Sequence, residues 1–312
     1  MVEVVVNEPL LIVIAGPTGS GKTALSIELA EHLGGEIVSC DSVAVYREME
    51  IGTAKPSHEE RARVPHYLID VVDPSVEYTA GQYARDARAA IAEIAARGRV
   101  PIMAGGTGLY LRAVLEGLSP VARRDETIRA RLRRSVERFG SAHLYRILQR
   151  LDAPAAASIH TNDIPKLIRA IEVCLLEKKP MSEAWQHQKP EPLTGFRIAR
   201  IGLNPPRAAL YDRLNARAAQ MFADGLVEET RTLIAKYDRD CRALTSLGYA
   251  QAMAEIEGTM PREEALAAVA QGHRNYAKRQ LTWFRRDAAM QWIEAFGSQS
   301  TQTALTLVKV CG

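Results

Sequence analysis

The segment GPTGSGKT, Gly16 to Thr23, follows the apolar run LLIVIA. Gly16, Gly21, Lys22 and Thr23 satisfy the spacing of a phosphate-binding loop, GxxxxGK[ST], between a strand and a helix. Glycines let the backbone turn tightly, so that successive N–H groups converge on phosphate oxygens. Gly16, Pro17, Thr18, Gly19, Ser20, Gly21, Lys22 and Thr23 are thus the expected diphosphate- or nucleotide-binding segment. Lys22 adds a point charge, and the Thr23 hydroxyl can hold Mg2+. The spacing does not name the phosphate. An ATPase or kinase of this kind usually ends a second apolar strand in an acid that holds the metal. Here VPIMAGG runs into Gly-Gly-Thr-Gly; Asp70 and Asp73 sit in a weaker run, and Asp41 follows EIVSC. The triphosphate machinery is only partly visible.

Placing these residues requires alternating strands and helices. LLIVIA reads as a buried parallel strand, and Leu25, Leu29 and Leu33 recur at helical spacing until Gly34-Gly35 stops them. EIVSC, HYLIDV, VPIMAGG, FRIARIGL and MQWIEA read as further strands. AGQYARDARAAIAEIAARG, Arg207 to Ala223 and Arg262 to Arg286 read as helices. The fold class expected is α/β, a doubly wound parallel sheet of the P-loop kind. Between Gly117 and Phe196 the pattern is helical, with no strand of comparable quality. Residues 121–194 are therefore expected to form a helical insertion, and 1–120 with 195–312 the core.

Composition sets outer bounds. The chain has 312 residues and a net charge of +3, so it is not basic overall. Arginines concentrate between Pro120 and Arg150, at 123, 124, 129, 131, 133, 134, 138, 146 and 150, against Asp125, Glu126 and Glu137. Such a local excess marks either a phosphate-contacting surface or a solvated helix face. The N-terminus lacks signal-peptide character and no apolar stretch is long enough to span a bilayer, so the expected address is the cytoplasm, with no membrane partner. Cys40, Cys174, Cys241 and Cys311 form no CxxC pair, which argues against a zinc site or a disulfide framework.

Six segments occur in order: GPTGSGKT, DSVAVYREMEIGTAKP, VPHYLIDVVDP, GGTGLYLRAVLEGL, TNDIPKLIRAIEV and RNYAKRQLTWFRR. Together they resemble the bacterial tRNA dimethylallyltransferases, from about Leu10 to Trp292. The resemblance implies attack by the exocyclic amine of a flipped-out adenine, 3'-adjacent to the anticodon, on the allylic carbon of dimethylallyl diphosphate. Diphosphate leaves. Partners implied are the tRNA anticodon stem-loop and the prenyl donor; the cofactor implied is Mg2+, and the expected state is a monomer.

The resemblance also assigns roles. Asp41 is similar to the family's general base, Thr107 to the residue on the diphosphate bridging oxygen, and Arg217 to an arginine near the diphosphate. Asp41, Ser42, Val43 and Ala44 correspond to the stretch that meets the target base, and Thr107 also falls among the RNA contacts. Arg129 matches an insertion arginine facing RNA. Asn162, Asp163, Ile164, Pro165 and Lys166 match one RNA-contacting loop; Thr245, Ser246, Leu247, Gly248, Tyr249 and Ala250 match another. Two departures stand out: Ala44 where many relatives carry Gln, and Lys166 in place of Arg, which keeps the charge but loses the bidentate fork. By residue type alone, Asp41 and Thr107 also read as turn and helix caps. In HRNYAKRQLTWFRR the aromatics are expected to pack, with Lys278 or Arg279 reaching towards the phosphate site. The alternatives are an ATP-dependent small-molecule kinase, an RNA-binding switch protein, and prenyl transfer to free adenine nucleotides.

Overall fold

The computed structural model describes residues 8–118, 124–183 and 190–310. Val121, Arg123 and Cys311, all used in the sequence reading, lie outside the described residues. The chain divides into two compact units, one of residues 1–115 with 193–312 and one of residues 116–192. The boundaries read from the sequence were 121 and 194.

The larger unit is built on a six-stranded, wholly parallel sheet. Its strands are β1 (Leu10–Ala15), β2 (Gly35–Cys40), β3 (His66–Tyr67), β4 (Val100–Gly105), β5 (Arg197–Leu203) and β6 (Gln291–Ile293), in spatial order β3-β2-β4-β1-β5-β6. The central strand β1 is a run of branched apolar residues because both of its faces are covered. On one face Ile12, Ile14, Ile37, Ile102 and Ile201 pack with Leu25 and Leu29 of α1 (Lys22–Leu33). On the other, Leu11, Val13, Val38 and Met103 pack with Ile91 and Ile94 of α3 (Ala80–Ala96). α1 begins at Gly21 and is closed by Gly34, both in the left-handed region, and the Gly34 N–H satisfies the Ala30 carbonyl.

The remaining helices of this unit are α2 (His58–Arg63), α4 (Gly108–Leu115), α9 (Arg207–Ala223), α10 (Leu226–Lys236), α11 (Tyr249–Ile256), α12 (Arg262–Phe284) and α13 (Thr301–Val310). The expected strand HYLIDV shrinks to His66–Tyr67. Leu68 and Asp70 take left-handed backbone angles, which end the extended run. Asp70 is held there by side chains: Lys55 Nζ lies 2.5 Å from Oδ1 and Arg61 donates to Oδ2 at 2.6 Å.

The second unit is helical, with α5 (Glu126–Phe139), α6 (Ser141–Leu151), α7 (Ala153–Ser158) and α8 (Ile164–Glu177). Leu132, Leu144, Leu148, Leu167 and Ile171 form its core. At one side of that core lies the Glu172 carboxylate, fully buried. It accepts from the Asp125 N–H, from Arg129 at both oxygens, and from Arg169. Burial opposes ionisation of Glu172, but these donors outweigh it and hold the carboxyl at about 2. No described helix is long and apolar enough to cross a membrane.

Candidate active site

The parallel register brings three strand ends together. β1 runs into Gly16, β2 into Asp41 and β4 into Gly106-Thr107. Ligands of open α/β sheets bind at this carboxyl edge, where loops replace the ladder. The Thr107 N–H donates to the Cys40 carbonyl at 3.1 Å, which carries the β2–β4 pairing one step past the strands. Beyond it, the Ser42 N–H donates to Thr107 Oγ1 at 3.0 Å, and the two hydroxyl oxygens are 3.3 Å apart. The Asp41 carboxylate accepts the N–H groups of Val43 and Ala44 at Oδ1, at 2.9 and 3.3 Å. The turn reading of Asp41 is thus realised at one oxygen. No hydrogen bond of the described residues occupies Oδ2 in the same way.

A cavity of about 720 Å³ opens over these strand ends. Lys22, Thr23, Asp41, Arg213 and Arg217 are among its lining, as are Glu50, Glu60 and Asp224; Ile37, Ala44, Ile51, Ala54 and Met221 add apolar surface. Lys22 folds back on its own loop, donating from Nζ to the Pro17 carbonyl at 2.8 Å. Burial pushes its ammonium down to about 8; Asp41 works against that shift and Arg217 adds to it. Arg217 comes from α9, donates to Thr18 Oγ1 at 3.3 Å, and is also lowered by burial, with Asp41 opposing. Two half-buried cations, Lys22 and Arg217, thus stand close enough to the Asp41 carboxylate to be coupled to it electrostatically. Cations partly withdrawn from water in this way bind an anion more strongly than fully exposed cations do.

Among the loop residues, Gly16, Pro17 and Ser20 are buried, so only their backbones could serve a ligand. Thr18, Gly19, Gly21, Lys22 and Thr23 line the cavity. Thr107 is not among the cavity-lining residues; it stands two residues from Gly105, which is. Its hydroxyl meets Ser42 and, from α12, the hydroxyl of Tyr276. Burial raises Tyr276 to about 12, so it is a neutral phenol at physiological pH.

The residues matched to RNA contacts fall in several settings. Ser42 and Val43 are half-buried, while Ala44 is buried and lines the cavity. Asn162, Pro165 and Lys166 are exposed in the helical unit. Asp163 caps α8 through the Lys166 N–H and pairs with Lys166 Nζ at 2.5 Å, and Ile164 is the first residue of that helix. Arg129 is anchored by its Nε and Nη2 on Glu172, which leaves only its Nη1 side for another partner.

In the other loop Thr245 is exposed, Ser246, Leu247 and Ala250 are half-buried and Gly248 is buried. Tyr249 corrects the sequence reading. Its side chain is fully buried, its hydroxyl donates to Glu229 at 2.5 Å and accepts from the Gly52 N–H at 3.2 Å. It holds the IGTAKP turn in place and has no surface to offer RNA. The aromatics of α12 also divide: Phe284 is buried as expected, but Trp283 keeps 37% of its surface exposed.

Sequence reasoning missed Gln280, Tyr276 and Lys55 as contributors. Gln280 is buried and bonds both the phosphate loop and the Gly106 turn. Lys55 is almost wholly buried and donates to the Tyr46 carbonyl at 2.5 Å, bracing the segment that follows Asp41. The signal for Gln280 was a polar residue at the buried i, i+3, i+7 positions of a helix, with Ala277 and Phe284.

Known proteins resemble this chain in sequence and fold. A family model described as IPP transferase matches residues 44–287. The tRNA dimethylallyltransferase of Koribacter versatilis is 60% identical over 94% of this chain and 95% of its own length. That of Solibacter usitatus is 50% identical over 92% and 94%. Among solved structures, the tRNA isopentenylpyrophosphate transferase of Bacillus halodurans aligns with a TM-score of 0.70 at 37% identity, covering 97% of this chain and 98% of that one. A eukaryotic dimethylallyltransferase acting on tRNA aligns with a TM-score of 0.79 at 25% identity, over 97% and 78%.

Proposed function

The chain belongs to the IPP transferase family, and from that premise we propose that it moves a dimethylallyl group from dimethylallyl diphosphate to tRNA. The acceptor in this reading is the exocyclic amine of the adenosine 3'-adjacent to the anticodon. The amine nitrogen forms a bond to the allylic carbon, the carbon–oxygen bond breaks, and diphosphate departs with the bonding electrons. The amine proton goes to the Asp41 carboxylate, whose second oxygen is free to take it.

One observation supports this reading above the rest. Lys22, Arg217 and Asp41 converge on a single cavity that also has an apolar wall. A prenyl diphosphate presents that same division, a dianion or trianion at one end and five apolar carbons at the other. Lys22 and the loop N–H groups would hold the diphosphate, with Arg217 beside it. Thr107 would turn its hydroxyl from Ser42 to the bridging oxygen, where charge develops as the bond breaks. Ile37, Ala44, Ile51 and Met221 would exclude water from the allylic cation.

Mg2+ fits the residues present. Thr23 offers a hydroxyl at the cavity wall; the described residues contain no cluster of three or more acidic, histidine or cysteine ligands. Mg2+ is commonly held by one or two protein groups together with substrate phosphates. When bound it would neutralise charge on the departing diphosphate. A cytoplasmic location and a monomeric state belong to the same reading.

The test is incubation with labelled dimethylallyl diphosphate, Mg2+ and unmodified tRNA, with and without ATP. The label should reach RNA equally in both. Strict dependence on ATP, or label confined to free nucleotides, would overturn the reading.

A further inference from the structure

Three candidate features lie outside the machinery just described. The first is the Lys55–Asp70–Arg61 cluster, which is internally satisfied and braces a loop. Leu109 and Trp283, both partly exposed, form a second, but nothing settles what covers them. Gln280 is the third, and its geometry specifies a role.

Gln280 is 5% exposed, and its side chain makes two bonds in opposite directions. Its Oε1 accepts the Thr18 N–H at 2.7 Å, and its Nε2 donates to the Gly106 carbonyl at 2.9 Å. The partners fix which end is oxygen and which is nitrogen, since an N–H must meet an acceptor and a carbonyl must meet a donor. Thr18 belongs to the phosphate loop, and Gly106 immediately precedes Thr107. The contact leaves no slack: a Cβ on Gly106 would lie 2.1 Å from Nε2. Gln280 itself stands on α12, a helix of 23 residues packed on α9, so its position is set by a rigid element.

We propose that Gln280 is a positioning residue that sets the separation between the phosphate loop and the Thr107 turn. It is not among the residues that line the cavity. It also consumes the Thr18 N–H, so that the amides left to grip the diphosphate begin after Thr18. The Thr18 hydroxyl is taken from the other side by Arg217. Thr18 is therefore clamped at two atoms, and the loop is held open at a fixed register to Thr107 before any ligand arrives. Preorganisation of this sort acts on the reaction step, because Thr107 must meet an oxygen whose charge grows only in the transition state.

The kinetic arm of the test rests on the prenyl-transfer reading; the exchange arm does not. Gln280→Glu keeps an acceptor for Thr18 but sets a carboxylate oxygen against the Gly106 carbonyl. Gln280→Met removes both bonds at similar volume. Amide hydrogen exchange should show the Thr18 N–H protected in the native protein and in Gln280→Glu, and exposed in Gln280→Met. In prenyl transfer, Gln280→Glu should lower kcat by about a hundredfold, the size expected of a displaced catalytic group, with the prenyl-donor KM within a few-fold. Combined with Thr107→Ala, the same substitution should cost roughly threefold or less, because the group it positions is gone.

Equal kcat losses in both backgrounds would overturn the proposal, as would Thr18 exchange that ignores Gln280→Met. If the native protein moves no prenyl group, the functional reading fails by itself, and the exchange result still decides whether Gln280 holds the loop. Should Gln280→Glu fold poorly, Gln280→Met carries the same double-mutant comparison.

Discussion

Ser42 and Thr107 meet across the carboxyl edge of the sheet, the Ser42 N–H donating to Thr107 Oγ1 at 3.0 Å. They are far apart in sequence, and the pairing of Cys40 with Gly105 in the β2–β4 ladder brings them together. The bond places a hydroxyl beside the turn of Asp41 without spending its proton on a strong acceptor. Thr107 is thus held by a backbone donor while its own O–H can swing to a new partner.

Thr107→Ala should therefore slow the chemical step. Loss of one hydrogen bond to a developing oxyanion costs on the order of a hundredfold in kcat. Prenyl-donor KM should change much less, because the bond to a ground-state bridging oxygen is weak. Single-turnover rates against donor concentration separate the two. A rise in KM at unchanged kcat would return Thr107 to the status of a helix cap.

Asp41→Ala should lower turnover by roughly a hundred- to ten-thousand-fold, the range for removal of a general base. Diphosphate binding should survive, since the carboxylate repels that anion. Turnover is read in the transfer assay and binding by calorimetry on the same preparation. Near-normal turnover would leave Asp41 as the turn-forming residue that its bonds to Val43 and Ala44 already make it.

Much of this site was legible in the sequence because its signals are local. The phosphate loop is defined by spacing within eight residues, and Asp41 and Thr107 each end an apolar run. The contacts that join these pieces were not legible. Gln280 lies 262 residues from Thr18, and on its helix it has the same periodicity as a packing residue. Tyr249 was placed among the RNA contacts by the resemblance of its loop, and nothing local shows that Glu229 and Gly52 claim its hydroxyl. HYLIDV has strand composition, yet Lys55 and Arg61 draw Asp70 into a left-handed turn, and no local pattern foretells a salt bridge.

The depressed Lys22 ammonium gives the site a pH dependence with a defined sign. The folded protein releases this proton at about 8, against 10.5 for an ordinary lysine. Diphosphate affinity should be full below pH 8 and fall as pH rises through it. Stability runs the other way: between about 8 and 10.5 the unfolded chain holds the extra proton, so this group's contribution to folding grows with pH. Calorimetric titration of diphosphate across pH 6.5 to 9.5, a range chosen to bracket about one and a half units around that value, reads the first effect. Affinity that is flat through pH 8 and survives in Lys22→Met would remove Lys22 from the site.

On the helical unit, Arg131, Arg134 and Arg138 are exposed along one face of α5, whereas Arg129 is committed to Glu172. Replacing the three exposed arginines by Ala should weaken tRNA binding and make the log–log salt slope shallower by roughly two to three, through lost counterion release. Prenyl-donor affinity should not move. Filter binding over a salt series tests this, and an unchanged slope would make the three a solvated face.

The central claim is that the loop from Gly16 to Thr23 grips the diphosphate of a prenyl donor. Competitive calorimetry with dimethylallyl diphosphate, inorganic diphosphate and ATP addresses it directly. The account predicts that inorganic diphosphate and the prenyl donor displace each other at one site, and that ATP competes only weakly, through its phosphates. Tight binding of ATP that neither diphosphate nor the prenyl donor displaces would contradict it.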